Sequence, residues 1–302
     1  MRILLAGATG VIGRPLVTAL EARGHEVVAI TRRPRKDAVV ADVLDRDALL
    51  KAVAGLRADV IVQQLTALAK PPRNGADLAA TNRLRTEGTA NLLAVARETG
   101  ATRYIGQSMF FGYGLRPGRT RPITEDEPFG ETVGGGMDAA VFALRDAENL
   151  PFAEPGLDAV ALRYGMFYGT MDAMSLMVGM VRKRMLPLPR GGTGLLSLIH
   201  VDDAVSATVA AIERGRGGEA YNIADDEPVG LDVYVDALAR AVGARRPLRV
   251  PVWLLRVLSP YFATMATGTS LPVSNAKAAR ELDWRPRRPS YREGLAELVV
   301  EA

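Results

Sequence analysis

Arg2-Ile-Leu-Leu-Ala-Gly7-Ala-Thr-Gly10-Val-Ile-Gly13 is the stretch on which the fold turns. Residues 2–6 form a short β-type run, and Arg14–Arg23 reads as a helix that stops at Gly24. Glu26–Ile30, rich in β-branched residues, reads as a second strand. Strand, glycine turn, helix and strand in this order are the signature of a βαβ unit with a parallel sheet. The three glycines serve different purposes. One permits the tight turn, one lets backbone approach a pyrophosphate, and one lets helix and strand pack closely. The helix N-terminus then offers unpaired N–H groups and partial positive charge to phosphate. Gly7, Gly10 and Gly13, with Thr9, Val11 and Ile12 between them, therefore read as a dinucleotide-binding turn.

The alternation continues outward. Val39-Val40-Ala41 and Asp59–Val62 read as strands, with a helix over Arg46–Ala54 between them. One long helix is expected from about Ala76 to Glu98, closed by Gly100. Arg103–Gly106 and Asp158–Arg163 follow as strands, separated by a helix over Asp138–Asn149. The fold class is α/β, a doubly wound parallel Rossmann sheet with a smaller C-terminal substrate lobe. Residues 1–165 with about 200–225 are assigned to the dinucleotide-binding domain, and about 166–199 with 226–302 to the lobe. Residues 112–136 hold ten Gly or Pro and read as a long functional loop that carries Tyr113. A Met-rich helix over Asp172–Arg184 is expected to be lobe core, by the spacing of Met174, Met177 and Met180. The tail is read as two further helices joined by Pro-bounded turns. No internal repeat is evident.

Composition narrows the chemistry. The 302 residues include no cysteine and two histidines, His25 and His200. Among the 38 basic residues only Lys36, Lys51, Lys70, Lys183 and Lys277 are lysines. Disulfides, thiolate nucleophiles and cysteine-ligated zinc are excluded. Two histidines give no basis for a multi-histidine metal site, and no metal is expected. The net charge of +4 is spread along the chain, without a basic run interleaved with aromatics, so nucleic acid is not an expected partner. No apolar run reaches membrane-spanning length, and Ile3–Ala6 is too short for a secretory leader. A cytoplasmic protein acting on a small molecule is the expectation.

The motifs resemble those of the extended short-chain dehydrogenases/reductases, the NAD(P)-dependent epimerase/dehydratase family. Gly7–Gly13 resembles the family's glycine motif, and Asp42, followed by Val43, resembles its adenine-contacting aspartate. Gln64-Leu65-Thr66-Ala67 stands where the family has His-Leu-Ala-Ala beside the cofactor. Asn82 with Gly88-Thr89-Ala-Asn-Leu-Leu matches its fourth helix. Arg163-Tyr164-Gly165-Met166-Phe167-Tyr168-Gly169 resembles the segment after its sixth strand, which lines the nicotinamide. His200-Val-Asp-Asp203, Tyr221-Asn-Ile and Asn275–Pro286 match later elements. The resemblance places Gln107 at the cofactor and Ser108 at the substrate oxygen. It also implies a homodimer through helices corresponding to 76–98 and 137–150.

The end of the second strand bears on the cofactor. NAD enzymes place an acid there, whereas this chain has Thr31-Arg32-Arg33, and paired guanidiniums grip a 2′-phosphate. NADP is expected over NAD. The resemblance also implies a Tyr-x-x-x-Lys proton relay, but no tyrosine here has a lysine four residues on. Ala140 and Leu144 occupy those places, and neighbouring Arg145 is turned about 100° away on the helix. Three readings stay open. Hydride transfer proceeds with another acid, Tyr113, Tyr164 or Tyr168; or a non-redox or internal-redox lyase, epimerase or cyclase keeps its dinucleotide; or the chain is a non-catalytic NADP-binding redox sensor. The first is adopted, as reduction of an organic carbonyl or activated double bond. His200, before Asp202-Asp203, reads as structural.

Overall fold

A computed structural model describes residues 1–68, 72, 74–132 and 137–300. Its centre is a seven-stranded, all-parallel sheet. The strands are β1 (Arg2–Ala6), β2 (Glu26–Thr31), β3 (Val39–Val40), β4 (Val60–Gln63), β5 (Arg103–Met109), β6 (Asp158–Tyr164) and a last strand, Glu219–Ile223. Across the sheet the order is Glu219–Ile223, β6, β5, β4, β1, β2, β3. β1 starts the chain yet sits centrally, so the connections run both ways from it and open a crevice at the strand C-termini. Both faces are covered, which explains why β4 and most of β1 are buried without alternation.

Helix α1 (Gly13–Glu21) and the helix Val201–Arg214 cover one face. On the other lie α2 (Arg46–Val53), α3 (Ala79–Arg83), α4 (Thr89–Thr99) and α5 (Asp138–Phe152). Asp45 caps α2 by accepting from the Ala48 amide, and left-handed Gly100 ends α4 as expected. A third apolar cluster gathers around Tyr168, Leu188, Leu238 and Leu271 and takes in Phe110, Tyr113 and Ile123.

Two expectations are corrected. The helix from Ala76 to Glu98 is not continuous, because a 3-10 turn (Gly75–Leu78) precedes α3 and a π-turn (Leu84–Gly88) joins α3 to α4. The tail holds five helices rather than two: Leu231–Ala241, Val252–Leu258, Pro260–Thr267, Ala276–Glu281 and Tyr291–Val300. The stretch 112–136 is held to the protein where it is described, and its residues 133–136 lie outside the described residues. Ile123 bridges to Val273, and Phe129 packs edge-on against Tyr113, which ends a 3-10 turn (Phe110–Tyr113) and is 3% exposed. Met174 is buried in the third apolar cluster, as the spacing of the methionines suggested.

Candidate functional site

The glycine turn lies at the C-terminal end of β1. Gly7 adopts φ +97°, and a Cβ there would stand 2.2 Å from the Gln64 carbonyl oxygen. A Cβ at Gly13 would stand 2.0 Å from the Gly7 oxygen, so α1 can approach the turn only with glycine. At Gly10 the nearest atom is 3.2 Å away, and the space over its backbone is open. Arg14 Nε donates to the Thr9 carbonyl (2.8 Å), fixing the loop, while Val11 is exposed. The first turn of α1 carries no acid, and Ile12 offers no side-chain cap, so its amides stay available to an anion. This cradle fits a pyrophosphate.

The neighbouring residues extend the cradle along the crevice. Asp42 is exposed and accepts from the Leu44 amide (3.0 Å). Asn91 holds the Val43 carbonyl (2.8 Å). Thr31 donates to the Arg33 carbonyl (2.6 Å), which shapes the turn after β2. Arg32 and Arg33 are exposed, and neither pairs with a carboxylate among the described residues. After β4, Leu65, Thr66 and Ala67 are partly or fully accessible, and the Ala67 amide donates to Thr81 Oγ1 (3.1 Å). Gln107 is partly accessible near the end of β5. Gly165 presses on the Ser197 carbonyl, and Met166 and Phe167 line the following strand, half-buried. Asn82 borders a groove of about 690 Å³ between the 75–86 segment and α5.

The residues expected to do chemistry are buried in polar networks. Ser108 donates to Glu148 Oε1 (2.5 Å), and Glu148 receives Arg163 through Nη2 (2.7 Å) and Nε (3.0 Å). Arg163 Nη1 donates to the Tyr113 hydroxyl (2.8 Å), which donates to Asn222 Oδ1 (2.8 Å). The Arg163 guanidinium also stacks on Phe129, 3.8 Å from the ring centre. Ala140 and Leu144 lie on the stripe of α5 that ends at Glu148, both buried against the protein interior. Gln64 Nε2 donates to the Tyr164 hydroxyl (3.1 Å), which lies 2.6 Å from Thr208 Oγ1. Tyr168 donates to the Ser290 carbonyl (3.2 Å). Burial pushes the Tyr113 and Tyr164 phenols up to about 12 and Tyr168 higher still. The structure thus brings Ser108 and Tyr113 into one network but gives none of the three tyrosines a hydroxyl free of protein partners.

His200 is itself the N-cap of Val201–Arg214, its ring accepting from the Asp202 amide (3.2 Å). Nearby Asp225 is 2% exposed, with Tyr168 and the His200 backbone beside its carboxylate and neither oxygen in a well-formed hydrogen bond to a described residue. Burial, reinforced by the Asp203 carboxylate, pushes it up to about 8. Folded protein therefore holds a proton that the unfolded chain releases, so this contribution to stability is present at acid pH and lost as pH rises toward 8. Asp225→Asn is expected to flatten the fall in urea-unfolding stability between pH 5 and 8. That fall approaches about 1.4 kcal/mol per pH unit where the two states differ by one proton.

Sequence reading passed over two residues, Arg85 and Tyr261. The π-turn is tied to the end of β4, because Gln63 Nε2 donates to the Leu84 carbonyl (3.0 Å). Arg85 sits on that turn, and its only polar side-chain partner among the described residues is Asn82 Oδ1 (3.2 Å). Tyr261 lies on Pro260–Thr267, and burial raises its phenol while the Arg85 charge draws it down. Its hydroxyl makes no hydrogen bond to any described residue. Neither residue belongs to a recognisable motif, and periodicity does not mark a π-turn. Further out, a lobe cavity of about 440 Å³ is bordered by Arg119, Arg190, Gly191–Leu195, Val252 and Thr267.

Comparison with known proteins adds chemistry to this geometry. The model of the NAD dependent epimerase/dehydratase family matches residues 3–224. A 3-diazoavenalumate denitrifying reductase from a Streptomyces species is 42% identical, over 98% of this chain and 99% of its own. A 4-hydroxy-2-methyl-3-oxo-4-farnesyl-3,4-dihydroquinoline-1-oxide ketoreductase from Stigmatella aurantiaca is 27% identical, over 98% and 95%. Among solved structures, the dTDP-glucose 4,6-dehydratase DesIV of Streptomyces venezuelae shares the fold. Its TM-score is 0.80 at 23% identity, over 99% of this chain and 96% of that one.

Proposed function

The chain belongs to the NAD dependent epimerase/dehydratase family and is an NAD(P)-dependent oxidoreductase, and we propose that it uses NADPH to reduce a small diazo compound with loss of dinitrogen. One observation carries the reading: among the described residues, none of the three phenols that the sequence offers as acids has a free hydroxyl. Reducing C=O requires a proton at oxygen as hydride reaches carbon. Ala140 and Leu144 supply none, and the hydroxyls of Tyr113, Tyr164 and Tyr168 are buried in bonds to the protein. Those phenols are also weaker acids than in water.

A diazonium substrate removes the requirement. When bound, the reduced nicotinamide supplies hydride. The new C–H bond forms at the carbon that carried nitrogen, the C–N bond breaks, and N₂ leaves with that bonding pair. No proton crosses, so the site has only to orient the substrate and exclude water. The diazo substrate in the name of the 42% identical reductase supports this assignment. Ser108 then acts as a structural donor to Glu148 rather than as a ligand of a substrate oxygen.

Within this reading the cofactor lies from the Gly7–Gly13 cradle past Asp42 to Gly165 and Phe167, with its 2′-phosphate at Arg32 and Arg33. Arg32→Ala/Arg33→Ala is expected to weaken NADPH roughly 10–100-fold while leaving NADH nearly unchanged, measured by fluorescence titration. The groove beside Asn82 and Phe142 serves as the pairing face of a homodimer, and the enzyme works in the cytoplasm. The reading is tested by incubating protein and NADPH with an arenediazonium and following N₂. One N₂ released per NADPH oxidised is expected. Reduction of ketones or activated alkenes without turnover of the diazonium would overturn it.

A further inference from the structure

We propose that the C-terminal lobe docks on an anionic lipid surface through the helix Val252–Leu258. The proposal is independent of which compound the enzyme reduces. A surface helix ordinarily buries its apolar side chains and turns polar ones outward. This helix buries Leu255 but turns out Trp253, Val257 and Leu258, which are 64–73% exposed, with Arg256 among them. Trp253, Arg256 and Val257 stand three and four residues apart, so they form one stripe. A short strand pair extends the face. Leu188–Pro189 runs parallel to Arg249–Val250, with the Leu188 amide donating to the Leu248 carbonyl (2.8 Å) and that of Arg190 to the Val250 carbonyl (2.8 Å). The segments leading into the pair, Arg182–Met185 and Arg245–Leu248, therefore enter from the same end, and the helix packs against Leu188–Pro189. Met185 and Leu248 are exposed as well.

Charge identifies what covers this face. Residues 182–190 and 240–256 hold nine Arg and Lys and no Asp or Glu, in a chain whose net charge is +4. The positive excess thus gathers here, and the remainder of the chain is net acidic. Arg249 is paired with Asp232 and Asp236. The other eight are exposed and form no ion pair among the described residues. An apolar centre that contains a tryptophan, set among unpaired cations, matches the interface of a bilayer with acidic headgroups. A second copy of the chain would bring the same cations face to face across a two-fold axis. Nucleic acid would engage the cations but leave Val257, Leu258 and Met185 without a partner. Val252, the first residue of the helix, also borders the lobe cavity of about 440 Å³. Docking therefore brings that cavity to the membrane, where apolar compounds concentrate.

The test sediments the full chain with vesicles of phosphatidylcholine alone or of a mixture rich in phosphatidylglycerol. Binding to the anionic vesicles is expected to be at least ~10-fold tighter than to the neutral ones, and to be lost in high salt. Trp253→Ser/Val257→Ser should weaken it roughly 10-fold, and Arg245→Glu/Arg246→Glu/Arg256→Glu roughly 100-fold, with NADPH binding unchanged in both. Fluorescence reads the contact directly. Trp284, the other tryptophan, is buried and its indole N–H donates to Ser206 Oγ (2.8 Å), so brominated lipid should quench Trp253 alone. That quenching should disappear in Trp253→Phe. No sedimentation with anionic vesicles, or sedimentation that both variants leave unchanged, would overturn the proposal. A dimer that forms without lipid and dissociates in Trp253→Ser/Val257→Ser, with no vesicle binding, would give the face to a second copy instead. Binding of duplex DNA in place of the vesicles would likewise overturn it.

Discussion

Arg163→Met is expected to destabilise the protein by about 3–5 kcal/mol in urea unfolding, the largest loss foreseen from a single substitution away from the glycine turn. Glu148 would be left 3% exposed without its cation, keeping only the Ser108 hydroxyl. Tyr113 would lose its donor at 2.8 Å, and Phe129 the guanidinium stacked on it. The cost comes from the stranded charge, so Arg163→Met/Glu148→Gln should recover much of the loss. If the single variant loses under about 1 kcal/mol, the network is not the strut that ties β6, α5 and the Tyr113 turn together.

Gly13→Ala is expected to abolish detectable NADPH binding. Its Cβ would lie 2.0 Å from the Gly7 oxygen and 2.8 Å from Ala8 Cα, both backbone atoms, so either the turn or α1 must move. At cofactor roughly 100-fold above Kd, binding stabilises the unsubstituted protein by about 2.7 kcal/mol. A roughly 100-fold weaker complex would keep about 0.4 kcal/mol of that. Thermal melts with and without NADPH read the difference directly. An unchanged NADPH shift would mean that the pyrophosphate does not sit over this turn.

The fold was legible because glycines and alternating elements state local physical requirements. Gly7, Gly10 and Gly13 after a buried run can hardly serve another turn, and β1, α1 and β2 appear where periodicity put them. Helix interruptions were less legible. Leu84–Gly88 has ordinary helix formers, and its π-turn arises from tertiary ties to Gln63 and Thr89. The loop after Tyr113 is rich in glycine and proline, and its composition does not show that Phe129 and Ile123 anchor it through contacts distant in sequence. The chemistry was least legible. Sequence reveals that a lysine is missing, but not which way a phenol points or what it already binds. Tyr113, Tyr164 and Tyr168 are attractive as letters and occupied as side chains.

The central claim is direct delivery of hydride to the carbon that loses nitrogen, without a proton from the protein. The most direct measurement uses an arenediazonium, NADPH deuterated at the transferred position of the nicotinamide, and ordinary water, with mass spectrometry of the product. One deuterium at the former C–N carbon, and none when unlabelled NADPH is used in D₂O, is the predicted result. Deuterium entering that carbon from D₂O, or product that retains both nitrogens, would contradict the account.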